Sequence, residues 1–292
     1  MATPFDPSGE LDLEGVIVLA RHLAANGSDG LVLTGTTGEA ATLSDEERIA
    51  VWRAVARSVD VPVLAGATTN DTRHSIELTK AAEECGVDGI LAVAPYYNRP
   101  SQVGMAGHFE AIAKATKLPV VLYDIPIRTG RKIATETMLA LARSVDNIVG
   151  VKDAAADPAA TLRLLAEAPD GFECYSGDDF LTLPLLAIGA VGVIGVATHW
   201  CGVECQEMIE LFRSGDVDRA LEIGRALISS FAFETGDDAP NPLPLKAMLR
   251  ALGLPAGDCR PPMGPTPAFV DERAKVVLAE LDAWRAGRGV RG

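Results

Sequence analysis

A lysine that follows a buried apolar run is the residue of this chain with the clearest chemical potential. Lys152 comes directly after Ile148–Val151, in a sequence with only seven lysines against nineteen arginines. Burial disfavours the charged form of an amine and lowers its pKa, which frees it to attack a carbonyl carbon. An arginine cannot do this chemistry. The alternative is a lysine that reaches solvent or pairs with Asp153.

Two further groups follow the preceding apolar run. Tyr123 ends the run Pro119–Tyr123, and its hydroxyl could pass protons to and from an amine on the adjacent strand. A tyrosine of the hydrophobic core is the alternative. Arg128 could grip a carboxylate through two parallel hydrogen bonds, and a surface salt bridge is the alternative. These residue types fit covalent chemistry at a carbonyl group.

A glycine-flanked turn, Gly35–Glu39, places Thr36 and Thr37 after another apolar run. The exposed amides and hydroxyls of such a turn can hold a carboxylate. A plain turn is the alternative. The turn does not match the glycine-rich motif of dinucleotide-binding proteins, and the sequence has no P-loop, so nucleotide binding has little support.

Neither the histidines nor the cysteines show the spacing of a metal site. The four histidines form no HxH or HExxH pattern and the five cysteines form no CxxC, which disfavours metal catalysis, although ligands could come from distant positions. The odd number of cysteines favours a reducing compartment. Because Met1–Asp6 has neither the basic nor the apolar part of a secretion signal, we expect a cytoplasmic protein.

The charge of the chain argues against two classes of partner. With 40 acidic and 26 basic residues the net charge is −14, whereas proteins that bind nucleic acid or anionic membranes carry basic patches. The uncharged stretch Phe180–Val203 is long enough to span a bilayer, but it is interrupted by Pro184, by Gly189, Gly192 and Gly195, and by His199. We therefore expect no nucleic-acid partner and no membrane segment.

Short apolar runs with helical segments between them must position the reactive residues. The runs are rich in Val, Ile and Leu and do not alternate with polar residues, which is typical of parallel strands buried on both faces. Helix starts lie between them, at a capping box (Ser44–Glu47) and at Asp157-Pro158. Seven such runs occur, at Gly30–Thr34, Val61–Gly66, Gly89–Ala94, Pro119–Tyr123, Asn147–Val151, Phe172–Tyr175 and Val191–Val196.

The regular alternation of strand and helix favours a (β/α)8 barrel over a doubly wound sheet. In a barrel the carboxyl ends of the strands meet at one mouth, so Lys152, Tyr123, Arg128 and the two threonines would face it together. The eighth strand would have to lie in Met1–Phe5, which is short. We expect a truncated first strand or an annotated start several codons too late.

The chain becomes helical beyond Val196. A barrel needs only one closing helix there, so the remaining helices would form an appendage. We therefore predict a barrel domain over residues 1–222 and a C-terminal helical region over residues 223–292. The predicted helices are Glu204–Arg213, Val217–Phe231, Leu243–Leu252 and Val270–Arg285.

Taken together, these motifs resemble the dihydrodipicolinate synthase family, within the pyruvate-dependent class I aldolases that include N-acetylneuraminate lyase. The likeness covers nearly the whole chain, from Thr3-Pro4-Phe5 to Pro262-Met263. The motifs are GTTGEAATL at 35–43, PYYNRPSQ at 95–102, LYDIPIRTG at 122–130, VGVKDA at 149–154 and SGDD at 176–179.

The resemblance implies a catalytic role for four residues. Lys152 would form a Schiff base with pyruvate. Tyr123 would pass protons and would be linked through Thr36 to Tyr97, which in this family the neighbouring subunit of a dimer offers. Neither a metal nor an organic cofactor is implied, since lysine covalency and a proton relay are sufficient.

The resemblance also implies how substrates bind. Thr37 would hold the pyruvate carboxylate with backbone help from Ile194, and Arg128 would hold the carboxylate of the incoming aldehyde. The implied activity is condensation of pyruvate with L-aspartate-4-semialdehyde, in the diaminopimelate and lysine pathway, by a homotetramer of two tight dimers.

Two rival functions stay open. One is another aldolase of the superfamily, acting on a 2-keto-3-deoxy sugar acid or on N-acetylneuraminate, which would share Lys152 and Tyr123. Arg128 and the PYYNRPSQ segment favour the synthase over it. The other is a non-catalytic homologue, which would tolerate loss of the lysine or the tyrosine.

Two departures limit what the resemblance implies. Asp124 stands where many members have asparagine, and we expect little effect. At the family's lysine feedback site Asn70 and Tyr96 fit, but Arg48 and His74 stand where lysine-sensitive members place histidine and glutamate. A cavity that loses a carboxylate loses affinity for an ammonium group, so we predict weak or absent inhibition by L-lysine.

Overall fold

The computed structural model describes residues 1–289. Its strands are β1 (Leu31–Leu33), β2 (Val63–Ala65), β3 (Gly89–Val93), β4 (Val120–Asp124), β5 (Ile148–Asp153), β6 (Glu173–Ser176) and β7 (Gly192–Val193). Its helices are α1 (Leu13–Ala25), α2 (Asp45–Ala56), α3 (Thr72–Cys85), α4 (Gln102–Ala113), α5 (Pro126–Thr129), α6 (Thr135–Ser144), α7 (Pro158–Glu167), α8 (Thr182–Leu186), α9 (Thr198–Ser214), α10 (Val217–Ala226), α11 (Ile228–Phe233), α12 (Leu243–Ala251) and α13 (Ala268–Gly289). Each of the seven predicted strands is confirmed.

Two compact units divide the chain. The second of them, Pro62–Gly195, is a parallel sheet in which strands β2 to β7 pair in chain order. Strand β4 is buried along its whole length, as expected of a strand covered on both faces. Because all strands run in the same direction, their carboxyl ends lie at one edge, where Tyr123 and Lys152 are in register.

Side-chain caps set where several helices begin. The Asp157 carboxylate accepts a hydrogen bond from Ala160 N at 3.1 Å, and Pro158 occupies the first position of α7. Ser44 and Glu47 form the predicted reciprocal capping box at the start of α2. Both predicted helix starts are confirmed. Each capping side chain satisfies a backbone N–H group that has no partner inside the helix.

The first unit combines Met1–Val61 with the chain from Val196 onward and holds the C-terminal helices. The single helix predicted over Val217–Phe231 is wrong, since α10 and α11 are separated at Leu227, where φ is −85° and ψ is −2°. Leu227 is completely buried, so the apolar pattern continues through the break and conceals it. The domain boundary predicted at 222/223 falls inside α10 and stays a prediction.

The predicted first strand is wrong in detail. Among the described residues, Met1–Phe5 has only an antiparallel bridge between Phe5 and Leu11. Met1 N donates to Val32 O at 2.6 Å beside β1. Ala2 N, however, donates to the His199 ring at 3.1 Å, and Pro4 has no N–H group. The backbone donors needed for a regular ladder are therefore missing or used elsewhere.

No helix of the described part of the chain is both long and apolar enough to cross a membrane. The uncharged stretch predicted to be interrupted is divided among α8, β7 and the start of α9.

Candidate active site

Lys152 and Tyr123 lie side by side on adjacent strands. They are register partners on β5 and β4, and Lys152 Nζ is 4.4 Å from the centroid of the Tyr123 ring. Tyr123 is 4% exposed and Lys152 is half-buried. Register partners on parallel strands point to the same face of a sheet. The amine and the tyrosine predicted to act together are therefore in contact.

Asp153 is not the partner of Lys152. One carboxylate oxygen accepts from Thr161 Oγ1 at 2.5 Å, and the other accepts from Ala155 N at 2.9 Å. Side chains alternate along a strand, so adjacent residues Lys152 and Asp153 point to opposite faces of β5. The alternative in which Lys152 pairs with Asp153 is therefore wrong.

Gly177 leaves room for the Lys152 side chain, a role that the sequence analysis missed. A Cβ atom at Gly177 would lie 3.0 Å from Lys152 Cε, 3.1 Å from Lys152 Cγ and 2.8 Å from Ala154 Cβ. Gly177 N donates to Asp153 O at 2.7 Å, which fixes the backbone at this close approach. The SGDD motif begins at Ser176, the last residue of β6, and its letters alone do not indicate this contact.

A pair of buried carboxyl groups follows Tyr123 and Lys152 along the same two strands. Asp124 and Asp153 are register partners and are 1% and 7% exposed. Asp124 accepts one hydrogen bond, from Ile133 N at 3.1 Å. Burial, together with the nearby charge of Asp153, raises the pKa of Asp124 to about 7. Up to that pH Asp124 is a neutral group, as an asparagine would be.

A second tyrosine adjoins the lysine but is engaged elsewhere. Tyr175 on β6 is the other register partner of Lys152, and its hydroxyl donates to the Glu173 carboxylate at 2.5 Å. Burial, the hydrogen bond and the charge of Glu173 raise the pKa of Tyr175 well above its usual value. Its proton is therefore committed to Glu173, which leaves Tyr123 as the tyrosine suited to proton transfer at the amine.

Arg128 and Tyr97 are exposed residues of the segments that follow β4 and β3. Arg128 belongs to the short helix α5, which starts at Pro126 and ends at Gly130 in the left-handed conformation. Tyr97 is 90% exposed and has a φ of 70°, which a bulky residue rarely adopts. An exposed aromatic ring on a backbone of this kind adds little to the hydrophobic core, which favours a role other than packing.

The predicted turn at Gly35–Glu39 is present in the first unit. Gly38 N donates to Gly35 O, and Glu39 N donates to Thr36 O, both at 3.1 Å. Asn241 Nδ2 donates to Thr37 Oγ1 at 2.9 Å. A residue distant in the chain therefore holds the side chain that was predicted to bind a carboxylate.

The backbone N–H group of Ile194, which an anion would need as a donor, is already engaged. Its N–H donates to Ser176 O at 2.8 Å. An anion needs donors, so any backbone contact from Ile194 to a ligand would come through its carbonyl oxygen, as an acceptor.

Two of the four histidines are buried in the hydrophobic interior. Burial lowers the pKa of His108 to about 4 and that of His199 to about 3. Within residues 1–289, no group of three or more His, Cys, Asp or Glu side chains is arranged to hold a metal ion.

Comparison with known proteins gives consistent matches over nearly the full length of the chain. The family model of the dihydrodipicolinate synthetase family matches residues 1–280. The 4-hydroxy-tetrahydrodipicolinate synthase of Moorella thermoacetica is 48% identical over 283 residues, which cover 96% of this chain and 94% of that protein.

Solved structures agree with the sequence matches. DHDPS from Cyanidioschyzon merolae, crystallised with lysine bound, has a TM-score of 0.94 and 41% identity over 97% of this chain and 96% of its own. The chloride-inhibited dihydrodipicolinate synthase of Acinetobacter baumannii, complexed with pyruvate, has a TM-score of 0.91 and 33% identity over 97% of both chains. The predicted fold class, an α/β barrel with a C-terminal helical part, and the predicted resemblance are both confirmed. The chain belongs to the dihydrodipicolinate synthetase family.

Proposed function

We propose that this chain is a 4-hydroxy-tetrahydrodipicolinate synthase, a Schiff-base lyase that condenses pyruvate with L-aspartate-4-semialdehyde. The observation that carries the proposal is the contact of the Lys152 amine with the Tyr123 ring on adjacent strands. The names of the relatives support the substrates, and the Acinetobacter protein was crystallised with pyruvate.

The first half of the reaction needs only an amine and a proton relay. The neutral Lys152 amine adds to the ketone carbon of pyruvate, and loss of water gives a protonated imine. The positive nitrogen withdraws electrons from the neighbouring methyl carbon, so a methyl proton leaves and an enamine forms. The Tyr123 hydroxyl is suited to carry protons between the nitrogen and the departing oxygen.

The second half forms the carbon–carbon bond and then releases the enzyme. The enamine carbon attacks the aldehyde carbon of the second substrate, and the aldehyde oxygen takes up a proton. The amino group of that substrate then adds to the imine carbon and displaces the Lys152 amine, which closes a six-membered ring. The protonated imine is the electron sink throughout, so the chemistry requires neither a metal nor an organic cofactor.

Two side chains are proposed for the two substrate carboxylates. Thr37 would donate to the carboxylate of pyruvate. Ile194 would lie beside this position without binding the carboxylate, because its N–H donates to Ser176 O and its carbonyl oxygen can only accept. Arg128 would hold the carboxylate of the aldehyde, for which a guanidinium is well matched because it can donate two parallel hydrogen bonds.

We propose that Tyr97 acts in the site of a second copy of this chain, where it would join the relay of Tyr123 and Thr36. Its 90% exposure and its left-handed backbone support this assignment. Val103 and Ile127, on the same unit, are 84% and 90% exposed, and apolar surface of this kind is typical of a protein contact. The proposed assembly is a homotetramer of two dimers in the cytoplasm, acting in diaminopimelate and lysine biosynthesis.

Borohydride reduction in the presence of pyruvate tests the mechanism. We expect a reduced pyruvyl adduct on Lys152 in a peptide map of the wild-type protein, and no adduct in Lys152→Ala. Lys117→Ala, which removes an exposed lysine, is the matched control and should still form the adduct. An unmodified Lys152 in the wild-type protein would remove the Schiff-base mechanism.

The rival aldolases share the adduct, so the aldehyde decides between them. Purified protein with pyruvate should consume L-aspartate-4-semialdehyde much faster than sugar aldehydes. Faster turnover of a sugar aldehyde, or cleavage of a 2-keto-3-deoxy sugar acid, would favour the alternative aldolase.

A further inference from the structure

A buried ion pair lies at the end of the Gly35–Glu39 turn. Lys246 Nζ is 2.6 Å from Glu39 Oε1, and the two side chains are 0% and 2% exposed. Lys246 is the only charged residue among the seven buried residues of α12. Replacement of a buried ion pair by apolar side chains is often neutral or even stabilising, so stability alone gives little reason for this pair.

The Glu39 carboxylate collects donors from a distant part of the chain. Besides Lys246 Nζ, it accepts from Arg260 N at 2.9 Å. Glu39 itself has a φ of 56°, a left-handed conformation that costs a non-glycine residue free energy and persists only where its surroundings hold it. The ion pair therefore fixes the one strained residue of the turn that carries Thr36 and Thr37.

Phe5 extends this arrangement to the other side of the turn. Its ring lies between two cations, Lys246 Nζ and Arg260 Cζ, each 4.2 Å from the ring centroid. The Arg260 guanidinium donates to Thr42 O at 3.0 Å and to Glu47 at 2.5 and 2.8 Å. The Arg260 guanidinium, which contacts the same ring as Lys246, therefore holds the chain just after the turn.

A second contact from the same segment orients the threonine. Asn241 lies a little over one helical turn before Lys246, and its amide nitrogen donates to Thr37 Oγ1 at 2.9 Å. A hydroxyl has one proton and two lone pairs. With one lone pair occupied by Asn241, the Thr37 proton points away from it and is available for a carboxylate.

We infer that Glu39 and Lys246 are positioning residues for carboxylate binding, which act by holding the Gly35–Glu39 turn so that Thr37 presents its hydroxyl proton to the pyruvate carboxylate. This inference rests on the proposed function. The Glu39–Lys246 ion pair would thus affect substrate binding without contacting the substrate.

The experiment measures pyruvate binding apart from turnover. Borohydride trapping of the adduct is followed as a function of pyruvate concentration for the wild-type protein, Glu39→Gln, Lys246→Met and the double variant Glu39→Gln/Lys246→Met. The double variant leaves no uncompensated charge and keeps the volume of the pair, so it serves where Lys246→Met alone does not fold. Arg250→Met is the control, since it removes an ion pair of the same helix, with Asp271.

We expect the half-saturating pyruvate concentration, and with it KM for pyruvate, to rise about tenfold in Glu39→Gln and in the double variant. KM for the aldehyde and the adduct yield at saturating pyruvate should stay close to wild type, and Arg250→Met should leave all of these values unchanged. A lowered Tm with unchanged half-saturation in both variants would overturn the inference. A wild-type protein that forms no adduct would instead overturn the proposed function.

Discussion

Two lysines of this chain lie in opposite surroundings. Lys246 is completely buried and contacts the Glu39 carboxylate at 2.6 Å. Lys152 is half-buried against the Tyr123 ring, and within residues 1–289 no ion pair joins it to a carboxylate. A carboxylate in contact stabilises the charged form of an amine, whereas an aromatic ring supplies a weaker attraction and no permanent charge. The two lysines therefore differ in their partners as well as in their burial, and we propose that this difference separates a structural lysine from a reactive one.

The same contrast appears in the residues around each lysine. Burial lowers the pKa of Lys246, and the charge of Glu39 acts against that shift. Around Lys152 the nearby acids are engaged elsewhere, because Asp153 accepts from Thr161 and Glu173 accepts from Tyr175. Both carboxylates therefore accept from hydroxyl groups rather than from the Lys152 amine.

Removal of the Lys152 amine should have the largest effect. We expect Lys152→Met to lower kcat/KM by on the order of 10⁴-fold or more, because no other group can form the imine. Its Tm should stay the same or rise, since no ion pair is lost. Lys246→Met should show the reverse, with a clear loss of Tm and a smaller loss of kcat/KM. Steady-state kinetics and thermal unfolding of both variants check this, and a large drop in Tm for Lys152→Met would contradict the contrast.

Tyr123→Phe keeps the aromatic ring beneath Lys152 and removes only the hydroxyl. We expect kcat to fall about 10²- to 10⁴-fold, the usual contribution of a positioned acid or base, while the adduct with pyruvate still forms at a lower rate. Tyr175→Phe is the matched control on the other side of Lys152, because its hydroxyl is committed to Glu173. An equal loss in both variants would mean that the tyrosines share the proton transfer.

Gly177→Ala tests how closely the Lys152 side chain must be placed. The added Cβ would lie 3.0 Å from Lys152 Cε, so the lysine must shift by a few tenths of an ångström or more. We expect a loss of about tenfold to 10²-fold in kcat/KM, as small misplacements of a reacting group produce. Gly107→Ala on the exposed side of α4 has open space around its Cβ and should leave the rate unchanged. Comparable losses in both variants would contradict a specific role for Gly177.

Much of the fold could be predicted because its signals are local. Each strand from β1 to β7 coincides with an apolar run, and the starts of α2 and α7 coincide with capping residues that satisfy backbone groups of the same segment. The prediction of an eighth strand was wrong because strand pairing depends on which acceptors the backbone N–H groups bind. Ala2 N–H goes to His199, which no pattern within Met1–Phe5 could indicate.

The sequence pattern indicated that Lys152 and Tyr123 end neighbouring strands, and the structure places them in contact, but the contacts around them could not be predicted. Gly177 matters through the Lys152 atoms that pack against it, and nothing in the SGDD sequence reveals that contact. Glu39 and Lys246 are far apart in the chain and share no periodicity. Their pairing is a property of the folded chain that a single sequence does not display.

The buried carboxyl group next to Tyr123 makes stability depend on pH. Burial and Asp153 raise the pKa of Asp124 to about 7, from 3.8 in an unperturbed aspartate. Between these values the folded protein keeps a proton that the unfolded chain releases, so the contribution of Asp124 to the free energy of unfolding decreases as pH rises and becomes constant above about 7.

Asp124→Asn should remove this dependence and stabilise the protein at pH 8 by about 4 kcal/mol. The lowered pKa values of His108 and His199 act in the other direction, since protonation of the unfolded chain lowers stability as pH falls below about 6.5. The difference between wild type and variant, measured by denaturant unfolding from pH 4.5 to 8, isolates Asp124 because the histidine contributions cancel. A difference that does not grow with pH would show that Asp124 is ionised throughout.

The smallest effect is expected from added L-lysine as an inhibitor. Its ammonium group is a third amine, and its binding depends on a carboxylate in contact with it. Asn70 is held in place, since it donates to Tyr96 O at 3.2 Å and accepts from Asn98 at 2.8 Å. His74 on α3, however, offers an imidazole where a carboxylate would bind an ammonium group. We expect little inhibition of the condensation at millimolar L-lysine, and a sub-millimolar inhibition constant would contradict this. His74→Glu should increase sensitivity, because it supplies a charge of the same sign as the one that Glu39 supplies to Lys246. If His74→Glu leaves inhibition unchanged, a carboxylate at this position does not control lysine binding. The contrast between Lys246, which has a carboxylate partner, and Lys152, which has none among the described residues, would then not extend to a free ligand.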